Sequence, residues 1–251
     1  MGIINKIRNF FKINWTKTIY FNYKKFPFKI ARQLPVYFYG KVKISNISGT
    51  IVIKAPIRRG MIGFGQPYEQ NSVHKGIAEL VIQGTIVFTG HVQFAKDYFI
   101  LVGKDAYAEF GHMSSLASSG KIICTNKIVM GDYARIGSES QLIDTNFHQM
   151  INTQTGERFP MNGTISLGSY NYVGNRVSIM QGTKTGDYCT IASNTLCNKD
   201  YSTLGKNILI GGMPAKLLRE NISRDWQGEK ALLEKWLIVN LSYKTPYILK
   251  R

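Results

Sequence analysis

Acidic residues are missing from the first quarter of this chain. No Asp or Glu occurs before Glu69, whereas Lys6, Arg8, Lys12, Lys17, Lys24, Lys25, Lys29, Arg32, Lys41, Lys43, Lys54, Arg58 and Arg59 all fall in that stretch. A surface of mixed charge is excluded there. Cysteine is scarce as well: Cys124, Cys189 and Cys197 form no CxxC pair, and no secretory signal precedes them. A disulfide framework and a cysteine-held metal are therefore not expected, and buried reduced thiols in a cytosolic protein are. No apolar run is long enough to span a bilayer. Of the histidines His74, His91, His112 and His148, only the last lies in the C-terminal half.

What the sequence does have is a six-residue beat from Met130 to about Leu209. Met130, Ile136 and Leu142, then Leu167, Val173, Ile179, Thr185, Ile191 and Cys197, recur at every sixth position on either side of one break. The next residue is usually tiny (Gly131, Gly137, Gly168, Gly174, Gly186, Ala192), and the fifth of each hexad is usually small (Ala134, Ser140, Val177, Thr183, Cys189, Thr195). A fixed period of this kind specifies a solenoid. Three short extended segments per turn would enclose a triangular prism with room for one modest side chain per face and little bulk at each corner. A helix repeats at three and four residues and does not tolerate glycine at this density. Residues 81–99 are rich in β-branched and aromatic side chains without a clean hexad register, so the earlier turns are expected to be irregular.

Val173-Gly174-Asn175-Arg176-Val177, the run Gly182 to Asn194 and the ending Gly211-Gly212-Met213-Pro214-Ala215-Lys216 resemble the hexapeptide-repeat acyltransferase family. That resemblance covers about the last two thirds of the solenoid. It implies an all-β solenoid, a left-handed parallel β-helix, and the hand rests on the family match because parallel crossovers are otherwise right-handed. The expected organisation is a basic aromatic extension or cap over 1–40, the β-helix over 41–216 and a C-terminal helical extension over 217–251. Within that extension, Ser223 to Asn240 reads as an amphipathic helix with Trp226, Leu233, Trp236 and Leu237 on one face.

Leu142 and Leu167 are one residue more than four hexads apart, so residues 144–164 cannot be plain coil and read as a loop pushed out of the prism. Loops on a rigid scaffold carry function. In the family a histidine at such a loop is the general base, and Asp144-x-Asn146-x-His148 is similar to that motif. An imidazole titrates near working pH and can take a proton from an attacking hydroxyl. Asp144 or Asn146 could accept its other N–H and fix the tautomer. His74, His91 and His112 lack this setting and are read as structural.

The resemblance implies direct transfer of an acetyl group from acetyl-CoA to a hydroxyl, with neither a covalent enzyme intermediate nor a metal. Carried onto matching positions, Asn175, Ser193 and Asn198 would meet the pantetheine arm, and Lys216 and Arg219 the nucleotide phosphates. Lys216 and Arg219, if one helical turn apart, would equally suit a solvated charged face. Met180 and Met213 depart from the family's smaller residues. The resemblance also implies a homotrimer with clefts shared between subunits. The expected acceptor is a sugar hydroxyl of a bacterial surface polysaccharide or its nucleotide- or lipid-linked precursor; a small free acceptor, such as an antibiotic, serine or soluble sugar, and a non-catalytic scaffold are the alternatives.

Basic residues near the N-terminus interleave with Phe10, Phe11, Trp15, Tyr20, Phe21, Tyr23, Phe26 and Phe28. No nucleic-acid-binding motif accompanies them. They suit either a cap on the open end of the solenoid or peripheral contact with an anionic membrane, at the inner face for a cytoplasmic protein.

Overall fold

In the computed structural model, residues 10–69 and 76–237 are described. His74, Trp236 and Leu237 carry expectations that lie outside the described residues or side chains. Strands stack into three sheets of nine, seven and five members, parallel throughout except for the last strand of the first sheet. The chain visits the sheets in turn, as in the coil Lys121–Cys124, Lys127–Met130, Arg135–Ile136, which makes a three-sided parallel β-helix.

All nine hexad positions named above are buried, between 0% and 6% exposed. So are the residues two places before them, Ile128, Ala134, Ser140, Ile165, Asn171, Val177, Thr183, Cys189 and Thr195. Each segment thus turns two side chains inward, not one, and in most a small or short partner leaves space for the larger one. The earlier coils are longer and uneven, as expected: Val42 pairs with Ala78, a step of 36 residues. Leu80 pairs with Ile100 and Ile100 with Ile122, steps of 20 and 22 residues, against 18 from Ile179 to Cys197. Their interior is aromatic: Phe64 stacks on Phe38 at 5.1 Å and on Phe94 at 4.7 Å, and Phe88 on Phe110 at 5.7 Å. Longer turns and wider rings go together, which is why no hexad register runs through 81–99.

One corner is built from left-handed residues. Tyr133, Tyr170 and Tyr188, at φ near +57°, stack in successive coils with ring centroids 5.1 and 4.8 Å apart. The stacking offsets a backbone conformation that bulky residues seldom adopt. Helix α3 (Trp226–Leu237) lies along this ladder, with Trp226 edge-on to Tyr133 and Tyr170 and the Tyr133 hydroxyl donating to Glu234 at 2.8 Å.

The solenoid begins at Val36, inside the segment read as an extension, and helix α1 (Trp15–Lys25) closes its end. Phe21 packs into the core against Phe38 at 5.0 Å. The Phe38 N–H donates to Thr18 Oγ1, while Asn22 both donates to the Val36 carbonyl and accepts from the Val36 N–H. Lys25 donates to the carbonyls of Ile47 and Gly49. The unpaired backbone of the first strand is thereby satisfied by side chains of the cap.

The three thiols are buried, and burial pushes Cys189 and Cys197 up to about 12, which leaves them inert as nucleophiles. His91 and His112 are also buried, 5.9 Å apart edge to face, with the His91 N–H donating to His112 Nδ1. Burial first, then neighbouring positive charge, pushes them down to about 3 and about 4. Unfolded imidazoles protonate near pH 6.5 while these resist, so falling pH draws the chain toward the unfolded state. Stability is expected to be complete above pH 6.5 and to decline toward pH 4 by up to about 1.4 kcal/mol per pH unit for each histidine. Urea titrations across that range check this, and the slope should shrink in His91→Asn.

Candidate active site

The extruded loop is a hairpin-like arm spanning 144–163. Antiparallel bridges join Thr145 to Asn162 and Ile151 to Arg158, and the Asn146 and Gly163 N–H groups donate to the carbonyls of Met161 and Asp144 at 2.8 Å. At its foot Thr145 is buried; its hydroxyl donates to the Met161 carbonyl and accepts from the Phe147 N–H. Phe147, at φ +59°, bends the chain immediately before His148. The imidazole is exposed.

Asp144 is fully buried and does not meet that imidazole. Its carboxylate accepts from the N–H and hydroxyl of Thr125 and from the N–H of Asn126, at 2.7, 3.0 and 2.9 Å. It clamps the corresponding turn of the preceding coil, and the side chain of Asn146 is exposed at the arm's foot. Both residues fix the backbone from which His148 projects.

Beneath the arm lies an open groove of about 520 Å³ lined by Asn146, Met150, Phe159, Asn162, Gln181 and Gly182, among others. Gln181 Oε1 is buried and accepts no hydrogen bond from the described residues. The sequence reading passes over Gln181 because it occupies an ordinary turn position of a hexad. Phe147, Met150, Ile151, Phe159 and Met161 leave the arm's flanks apolar and 44–56% exposed.

The other candidates fall on two corners. Asn198 follows the strand Leu196–Cys197 at the corner between the second and third sheets, two coils beyond the point where the arm emerges. Asn175 and Ser193 sit one above the other at the corner between the first and second sheets; the Asn175 N–H donates to Ser193 Oγ at 3.1 Å, and its Oδ1 accepts from the Ser138 N–H. Lys216 and Arg219 are not on a helix. They occupy the strand Ala215–Glu220, which returns antiparallel along Ile208–Gly212, with a bulge between their partners. Both are exposed. Within one chain the second sheet therefore separates His148 from Asn175 and Ser193. Among the described residues no group of His, Cys, Asp and Glu is placed to hold a metal ion.

No protein-family model and no curated protein matches the sequence. Among solved structures the chain is similar to the polySia-specific acetyltransferase NeuO, with 17% identity over 73% of this chain and 82% of that one and a TM-score of 0.48. It is also similar to the hexapeptide-repeat-containing acetyltransferase VCA0836 from Vibrio cholerae O1 biovar eltor, complexed with acetyl-CoA, with 23% identity over 49% and 64% of the two chains and a TM-score of 0.42. A third is a galactoside acetyltransferase in complex with coenzyme A, with 16% identity over 86% and 80% and a TM-score of 0.36. Identities this low leave the chemistry to be argued from the chain's own residues.

Proposed function

We propose that this chain is an acetyl-CoA-dependent O-acetyltransferase acting on a sugar hydroxyl of a bacterial surface polysaccharide or its precursor, with His148 as general base. The observation that carries this is the exposed imidazole on an arm whose foot is pinned to a rigid β-helix by the buried Asp144 clamp and by backbone hydrogen bonds. A base that must reach a substrate hydroxyl needs exposure and a fixed backbone, and His148 has both. The hydroxyl oxygen attacks the thioester carbonyl as its proton passes to the imidazole. The tetrahedral intermediate then collapses, the C–S bond breaks, and the proton passes to the departing thiolate. Holding the two substrates together supplies much of the rate.

The separation of His148 from Asn175 and Ser193 favours a homotrimer, in which the arm of one subunit faces the coil corner of the next. The exposed apolar flanks of the arm suit such a contact. Asn175, Ser193 and Asn198 would then serve the pantetheine and Lys216 and Arg219 the phosphates. The test is thiol release from acetyl-CoA against a panel of nucleotide- and lipid-linked glycan precursors, with antibiotics, serine and free sugars as comparison. Turnover confined to glycans is expected. Turnover only on the small acceptors would transfer the assignment to them, and no turnover together with no rise in melting temperature on adding acetyl-CoA would leave a scaffold.

A further inference from the structure

The inward face of α1 is occupied by the first coil, through Thr18, Phe21, Asn22 and Lys25. Its outward face is not. Ile19, Tyr20 and Tyr23 are 48–52% exposed there, and Phe28, in the following helix α2 (Phe28–Ala31), is 69% exposed. The Tyr23 and Phe28 rings lie 6.2 Å apart, which joins the two helices into one aromatic patch. Lys24, Lys29 and Arg32 are exposed on the same two helices and the residue after them, and no carboxylate occurs on this part of the chain.

We propose that this capped end of the solenoid docks on the surface of an anionic bilayer. Aromatic rings of mixed character settle at headgroup level, and cations of a single sign meet lipid phosphates. A protein partner would have to match a large apolar patch and an unrelieved positive charge together, whereas an anionic lipid surface meets both without a shaped site. The contact is lateral, because among the described residues no helix is long and apolar enough to cross a membrane.

One consequence depends on the function proposed for the arm, although docking itself does not. The arm leaves the fifth strand of the second sheet counted from the cap. Four steps at about 4.8 Å, with about 10 Å more for the helix that caps the first strand, place it about 30 Å from the outer face of the cap. The preferred acceptor is then a lipid-linked glycan whose reacting hydroxyl stands that far from the headgroups.

Flotation of the full chain with vesicles of phosphatidylcholine, with and without phosphatidylglycerol, tests the docking. Wild type is expected to float only with the anionic vesicles and to be released by high salt. The double variants Tyr20→Ser/Tyr23→Ser and Lys24→Glu/Lys29→Glu should each bind at least about tenfold more weakly with unchanged melting temperature, since neither touches the buried face. Equal flotation of the variants, equal flotation with neutral vesicles, or a surface that instead dimerises or retains nucleic acid would overturn the proposal. Turnover on a soluble glycan is measured separately, so loss of docking and loss of the catalytic assignment are told apart.

Discussion

Acetyl transfer by His148→Ala is expected to fall by about 10²–10⁴-fold, the usual contribution of a positioned general base, with affinity for acetyl-CoA retained. The variant should fold. The imidazole is exposed, and the bend that carries it is held by Thr145 and Phe147 and by the clamp of Asp144 on Thr125 and Asn126, none of which involves the ring. Steady-state rates with the best glycan acceptor, beside calorimetric titration of acetyl-CoA, separate the two effects. A lowered kcat/KM with unchanged donor Kd is the signature of a group that acts on the proton in flight. Full activity in the variant would move the base elsewhere.

The largest expected loss of stability comes from one methyl group. Gly131, Gly168 and Gly186 stack at the same corner in successive coils. A Cβ on Gly168 would stand 2.5 Å from the carbonyl carbon of Gly186 and 2.7 Å from the N–H nitrogen of Asp187. Both are backbone atoms held in the coil below, so the coils must part where Tyr170 stacks on Tyr188 at 4.8 Å. Gly168→Ala should cost about 3 kcal/mol and lower the melting temperature by about 10 °C. Because coils contact only their neighbours, the C-terminal coils should loosen first. Calorimetry of this variant beside Gly156→Ala gives the comparison. Gly156 lies in the arm at φ +74° with no atom within 4 Å of an added Cβ, so its replacement should cost only about 1–2 kcal/mol of backbone strain.

The prism was legible wherever its coils are short. From Met130 to Cys197 each side has room for two modest side chains and no aromatic ring, so the period is strict, and every hexad residue singled out lies inside. Before that, Phe64, Phe88, Phe94 and Phe110 widen the interior and the turns lengthen unevenly, which erases the six-residue register while the strands still stack in parallel. The arm was legible from the extra residue between Leu142 and Leu167. Its internal bonding was not, because a carboxylate near a histidine in sequence gives no sign that a turn of the previous coil already holds it. Lys216 and Arg219 were misplaced on a helix for a related reason. Their spacing of three suits a helical turn, and only pairing with Ile208–Gly212 makes the segment a strand.

That returning strand has a reach beyond its own residues. It runs against the direction of the strand it covers, and at the opposite end α1 supplies side-chain partners to the outermost backbone. The nine-membered sheet therefore ends in a strand of reversed direction at one limit and in a cap at the other, so its parallel ladder is not continued unchanged at either. Lengthwise growth of copies into fibres by continuing that parallel ladder is thereby disfavoured.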